Sequence, residues 1–151
     1  MNKKVKLIQS TDEDKDLVYN ILKAASEIYA IKTWGRWKEE TQRANFDENF
    51  DCANVRIIQM EKSDIGFIST IISEDEIFLD ELNILPEFQR LGVGTLLIEK
   101  LIEEASRKDI PIKLHVLKVN PACLLYDRLG FEFTGGTRSH YHMEWRREWG
   151  Q

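Results

Sequence analysis

"LPEFQRLGVGTLLIEKLIEEA" runs from Leu85 to Ala105. Two glycines, Gly92 and Gly94, stand between a polar turn and a strongly periodic apolar stretch. Leu97, Ile98, Leu101, Ile102 and Ala105 recur at helical spacing, so a helix of about 93–107 is expected with that face inward. Glycine inside a helix costs about 1 kcal/mol relative to alanine. Two of them at a helix start therefore need a reason. Either the turn requires positive φ at one position and close packing at the other, or an anion approaches bare backbone amides. A helix N-terminus offers unpaired N–H groups and the positive end of the macrodipole, which suits a pyrophosphate. Gln89 and Arg90 add donors at the mouth. A Walker loop is excluded because no lysine lies between Gly94 and Thr95, and a Rossmann fingerprint because Leu97 stands where a third glycine is needed.

The elements around this turn follow from pattern. Residues 4–9 read as a strand, and Ser10 and Thr11, with acids close behind, read as a helix start. Leu17, Ile21, Ala25 and Ile28 repeat through a helix of about 12–30. Residues 33–50 read as a shorter helical region after Gly35, with Trp34 and Trp37 on one side and Phe46 and Phe50 nearly opposite. Runs at 54–60, 65–73 and 77–85, joined by short polar turns, predict an antiparallel meander. "IPIKLHVLKV" places Ile110, Ile112, Leu114 and Val116 on one strand face. "NPACLLYDRLG" is a compact helix, with Asn120 as N-cap, Pro121 at the first position and Gly130 just past the end. "FEF" and "HYHMEWR" read as strands around a hairpin turn at Gly135–Gly136. The order is β-α-α-β-β-β-α-β-α-β-β, and its strand–helix–strand unit implies a parallel pair within a mixed sheet.

Composition bounds the class. A chain of 151 residues with 42% hydrophobic and 31% charged residues fits one globular domain, 1–151. The net charge of −5 argues against a nucleic-acid surface, which needs clustered cations. Cys52 and Cys123 are 71 residues apart, too isolated for a zinc cluster or redox pair. Neither a signal peptide nor a membrane span is expected, so the reading is cytoplasmic with reduced thiols and no membrane partner. No metal is expected: His140 and His142 alternate on the last strand opposite Tyr141, Met143 and Trp145, facing solvent or a dimer contact, with no third ligand suggested.

Taken together, "LNILPEFQRLGVGTLLI" and "NPACLLYDRLGF" resemble the GNAT superfamily of acyl-CoA-dependent N-acetyltransferases. Gln89, Arg90, Leu91, Gly92, Val93 and Gly94 resemble its pyrophosphate signature. Asn120, Ala122, Leu125, Tyr126, Gly130 and Phe131 resemble its second segment. The resemblance implies one α/β (α+β) domain. Its sheet is mixed and mostly antiparallel, with six to seven strands, a central splayed parallel pair and about four flanking helices. It implies acetyl-CoA as co-substrate and a small-molecule or peptide amine as acceptor. The pantetheine pairs with Leu82 and Ile84, within the stretch Leu82, Asn83 and Ile84. The amides from Gln89 to Thr95 hold the pyrophosphate, and Asn120 contacts the cofactor. Tyr126 protonates the departing thiolate.

The base is left open between Asp80 and Glu81, acting directly or through water, because Phe78 occupies a slot where some members carry a base. Trp34, Arg36 and Trp37 fall in the segment that walls the acceptor site in this family, or they fasten helix to sheet. C-terminal strands serve dimers in the family, so a homodimer is an expectation. The alternatives are an acyl-CoA-binding sensor without turnover and a phosphate-binding domain unrelated to CoA.

Overall fold

The computed structural model describes residues 4–150. Seven strands form one mixed sheet in the order β1-β2-β3-β4-β5-β7-β6. In chain order they are β1 (Val5–Gln9), β2 (Val55–Met60), β3 (Ser63–Ile72), β4 (Ile77–Ile84), β5 (Ile112–Leu117), β6 (Glu132–Gly136) and β7 (His140–Trp145). The helices are α1 (Lys15–Trp34), α2 (Glu39–Asn49), α3 (Val93–Lys108) and α4 (Ala122–Arg128). The expected element order is the one observed. No helix among the described residues is long and apolar enough to cross a membrane.

Backbone contacts group the chain into two compact units. The first comprises the chain up to Ser69 together with Glu81–Leu91. Its start is built by a capping box. Thr11 Oγ1 accepts from the Glu13 amide, and Asp14 Oδ2 accepts from the Thr11 amide at 2.9 Å. The helix ends at Gly35, whose φ of 87° is natural only for glycine and whose amide donates to the Ile31 carbonyl. That cap carries α1 four residues past the expected end. Val18, Ile21, Val55, Ile57 and Phe67 form the core beneath α1, with Phe46, Phe50 and Leu85 packed on it. Ile28, expected on the buried face, is 54% exposed. The aromatics of residues 33–50 are not split between two faces as expected. Trp37 precedes α2 in extended chain, and both Trp37 and Phe46 pack against the Tyr19 ring. A helical-wheel argument fails where the residue is not helical.

The second unit comprises Thr70–Asp80 and the chain from Gly92 onward. α3 buries Val93, Leu97, Ile98, Leu101 and Ala105, with roughly 1.5–3 kcal/mol available from each large side chain. Ile110, Ile112, Leu114 and Val116 are buried as the alternation predicts. β5 runs parallel to β4, pairing Ile77–Leu79 with Ile112–Leu114, and antiparallel to β7 along its whole length. Gly135 and Gly136 do not make the hairpin turn. They lie in β6 beside a bulge, and the turn is Thr137–Ser139, closed by the Thr137 amide on the His140 carbonyl. A Cβ on Gly136 would stand 2.6 Å from that same carbonyl, which accounts for glycine in the strand.

Candidate active site

The turn after β4 is a relay of special backbone angles. A short 3-10 turn at Pro86–Phe88 leads to Gln89, whose side-chain amide donates to the Ile84 carbonyl at 2.8 Å and closes the turn on itself. Arg90 then adopts φ 65°, a left-handed conformation that costs a non-glycine residue about 1–2 kcal/mol. Gly92 follows at φ 84° as N-cap of α3. The Leu96 amide bonds the Gly92 carbonyl, so the amides before it, of Val93, Gly94 and Thr95, are the ones a helix leaves without an intrahelical acceptor. A Cβ built on Gly92 meets nothing within 4 Å. Gly92 is therefore required by its angle and not by packing against a neighbour, and the space into which its side chain would project is open. Arg128 reaches back from α4 and donates to Thr95 Oγ1 at 3.3 Å, placing a guanidinium at the same helix end.

The strand leading into this turn is also informative. The Leu85 amide bonds the Ile65 carbonyl on β3. Backbone direction alternates along a strand, so the peptide groups of Leu82 and Ile84 point away from β3, as pairing with an added ligand strand requires. Asn83 is only 7% exposed. Its side chain accepts from Ser26 Oγ at 2.7 Å and donates to Glu81 Oε1 at 2.9 Å, so its contribution to a ligand is left to the backbone. Glu81 is half-buried and held by that contact, whereas Asp80 is exposed.

The β4–β5 ladder carries a residue that the sequence reading passed over. Its last rung is Leu79 with Leu114, and His115 is the first residue beyond it on β5. The His115 ring stands edge-on to Phe78 at 5.3 Å and stacks on His142 at 3.9 Å, its partner across β5 and β7. His115 is exposed as a residue, but partial desolvation of its ring lowers its pKa from the ordinary histidine value, and the neighbouring His142 and His140 push it the same way. Its signal in the sequence was faint. The alternation that buries Leu114 and Val116 places His115 on the opposite face, but its partner is visible only once β5 and β7 are paired. His140 and His142, expected at solvent or a dimer contact, are half-buried. Among the described residues, no group of three His, Cys, Asp or Glu side chains could hold a metal.

Around α4, Asn120 Oδ1 accepts from the Ala122 amide at 2.9 Å, the capping contact the motif predicts, and Gly130 takes φ 98° past the helix end. Tyr126 is 5% exposed and packs its ring on Phe131 at 5.5 Å. In the segment after α1, Trp34 is 56% exposed and Arg36 is exposed. Trp37 is half-buried and donates from its indole to Glu39 Oε1 at 3.0 Å. Trp34, Arg36, Trp37, Glu81, Leu82, Asn83, Ile84, Gln89, Arg90 and Leu91 belong to the first unit. Asp80, Gly92, Val93, Gly94, Thr95, His115, Asn120 and Tyr126 belong to the second.

Residues 16–131 match the model of the acetyltransferase (GNAT) family. The chain is 32% identical over 107 residues to the ribosomal protein bS18-alanine N-acetyltransferase of Escherichia coli, covering 70% of each protein. It is 37% identical over 67 residues to the human cysteine-rich protein 2-binding protein, which covers 44% of this chain but only 8% of that much longer relative. The fold superposes on the PaiA N-acetyltransferase of Thermoplasma acidophilum, a structure in complex with coenzyme A. The TM-score is 0.74 at 18% identity, over 95% of this chain and 99% of that one.

Proposed function

From the premise that this chain belongs to the GNAT acetyltransferase family, we propose that it transfers an acetyl group from acetyl-CoA to the amino group of a peptide or protein. The observation that carries this reading is the α3 N-terminus. Three amides have no intrahelical acceptor, and Gly92 holds the backbone angle that presents them, with open space where its own side chain would project. Those donors and the helix dipole suit a pyrophosphate. Arg90 and Arg128 supply positive charge against the acidic background of the chain. Leu82 and Ile84 pair with the pantetheine through their outward peptide groups, and Asn120 contributes at the start of α4.

Acetyl-CoA supplies a thioester whose acyl carbon the amine attacks while the carbon–sulfur bond breaks. Tyr126 donates its phenolic proton to the sulfur. His115 takes the proton that the amine must lose. An imidazole whose pKa is lowered from its ordinary value is neutral at pH 7 and so is ready to accept. This assignment also explains how Phe78 can occupy a base-bearing slot without loss of chemistry. The ring that meets Phe78 is a histidine. A peptide acceptor is supported by the relative named for an alanine of a ribosomal protein.

The test is titration of acetyl-CoA by calorimetry, then thiol release with alanyl peptides, free polyamines and N-blocked lysine. Saturable binding with turnover on a peptide amine supports the proposal. Turnover on polyamines alone would refute the acceptor class. Absence of binding would refute the reading of the α3 turn.

A further inference from the structure

Helix α1 is apolar over more of its circumference than the core of the first unit covers. Its buried residues are Val18, Tyr19, Ile21, Ala25 and Ala30. Ala24, Ile28 and Ile31 stand outside that set and are exposed, Ile28 at 54% and Ile31 at 45%. At about 100° per residue these three fall within an arc of about 60°, and the capping Gly35 falls on the same line. They form one apolar ridge along the last turns of the helix. The steps from Ala24 to Ile28, Ile31 and Gly35 are four, three and four residues, the spacing of a seam between two helices. Glu27 lies about 40° beyond one edge of the ridge and Lys32 about 40° beyond the other. The ridge therefore has an acidic flank and a basic flank. Lys23, four residues before Glu27, makes its ion pair with Glu39 at 3.0 Å. The α1 positions three and four residues before Lys32 are Tyr29 and Ile28, so helical spacing brings it no carboxylate from its own helix.

We propose that this ridge is covered by the same ridge of a second copy of the chain, with the two α1 helices parallel about a two-fold axis. The charges select the direction. In a parallel pair, a residue on one flank meets the opposite flank of the other helix five residues further along. Each Glu27 then meets the partner's Lys32, and symmetry makes the contact twice. An antiparallel pair would set acidic flank against acidic flank and basic against basic. In the parallel pair Ile28 and Ile31 meet their own symmetry mates and leave water, and the small Ala24 lets the backbones approach. The stretch from Ala24 to Gly35 is about 18 Å long, a smaller contact than the roughly 1,200–2,000 Å² of a standard stable interface. The association is therefore reversible and depends on concentration. It lies on α1 and not on the C-terminal strands where the family resemblance places a dimer contact, and it is independent of the acetyl-transfer reading.

The experiment is sedimentation equilibrium of the full chain from about 5 to 500 μM, with each variant first checked for native melting. The wild-type mass should rise with concentration from one chain towards two. Ile28→Glu should weaken the association at least about tenfold, because it sets a charge against its own symmetry mate in an apolar seam. Glu27→Lys and Lys32→Glu should each weaken it about three- to tenfold by bringing like charges together. The double variant Glu27→Lys/Lys32→Glu should return it to within about twofold of wild type. An equimolar mixture of the two single variants should associate more tightly than either alone, since each then supplies the charge the other lacks. Wild-type protein that stays a single chain throughout, or a dimer that Ile28→Glu leaves intact, would overturn the ridge as an interface. A charge exchange that fails to restore association would overturn the parallel arrangement. A mass that climbs beyond two chains would overturn the two-fold pairing.

Discussion

Replacing Gly92 by alanine separates what the fold needs from what the ligand needs. Gly92 sits at φ 84°, ψ 6°, where an L side chain crowds its own backbone at a cost of about 1–2 kcal/mol. A Cβ there meets nothing within 4 Å, so no packing clash adds to this figure. For a protein of this length each kcal/mol corresponds to about 2–4 °C, so the melting temperature should fall by about 2–8 °C. Gly92→Asn should lose less, because asparagine tolerates the left-handed region. The same angle sets the direction of the Val93, Gly94 and Thr95 amides that follow, so relaxation of the strained turn should move those donors and lower acetyl-CoA affinity at least about tenfold, or about 1.4 kcal/mol. Thermal melts and calorimetric titration on the two variants read both quantities. A variant as stable as wild type would refute the angular argument. A variant that melts as expected but binds acetyl-CoA undiminished would refute the placement of the anion.

Gly66→Ala is the opposite case. Its φ is ordinary, but the new Cβ would strike the Asn83 carbonyl, so β3 and β4 must shift and stability should drop by at least about 2 kcal/mol in a denaturant melt. Tyr126→Phe keeps the ring against Phe131 and removes only the hydroxyl. It should lower kcat by about 100-fold or more with acetyl-CoA affinity within about twofold, and an unchanged kcat would remove Tyr126 from the chemistry. Because His115 titrates below the ordinary histidine value of about 6.5, the acid limb of kcat/KM should have its midpoint below that value and should vanish in His115→Gln together with most of the activity. Stability carries the same sign. His115 and His140 are both depressed, chiefly by partial desolvation of their rings, so between their folded values and about 6.5 the unfolded chain binds more protons. Their stabilising contribution is complete above that window and is lost as pH falls through it, which melts in buffers from pH 7.5 to 5 would follow.

Most of the architecture is local information. The apolar period of α3, the alternation of β5, the capping box at Thr11 and the glycines that end α1 and α4 each act within a few residues, where backbone sterics and amide satisfaction leave few choices. The same holds for the Gly92 turn, whose left-handed angle follows from the residue type that tolerates it. Reading failed where a residue's neighbours are distant in sequence. Gly135 and Gly136 look like a turn by composition, but the carbonyl that excludes a side chain at Gly136 belongs to His140 on the partner strand. Ile28 fits a helical stripe, yet no element covers it enough to bury it. The chemistry depends on such pairings most of all. His115 becomes a candidate base only through Phe78 and His142, and the buried Asn83 side chain is satisfied only by reaching Ser26, 57 residues away on α1. Periodicity reports which face of an element is apolar, because that depends on the element's own geometry. It carries no record of which polar group arrives from another element, and proton affinity and side-chain orientation are set by that arrival.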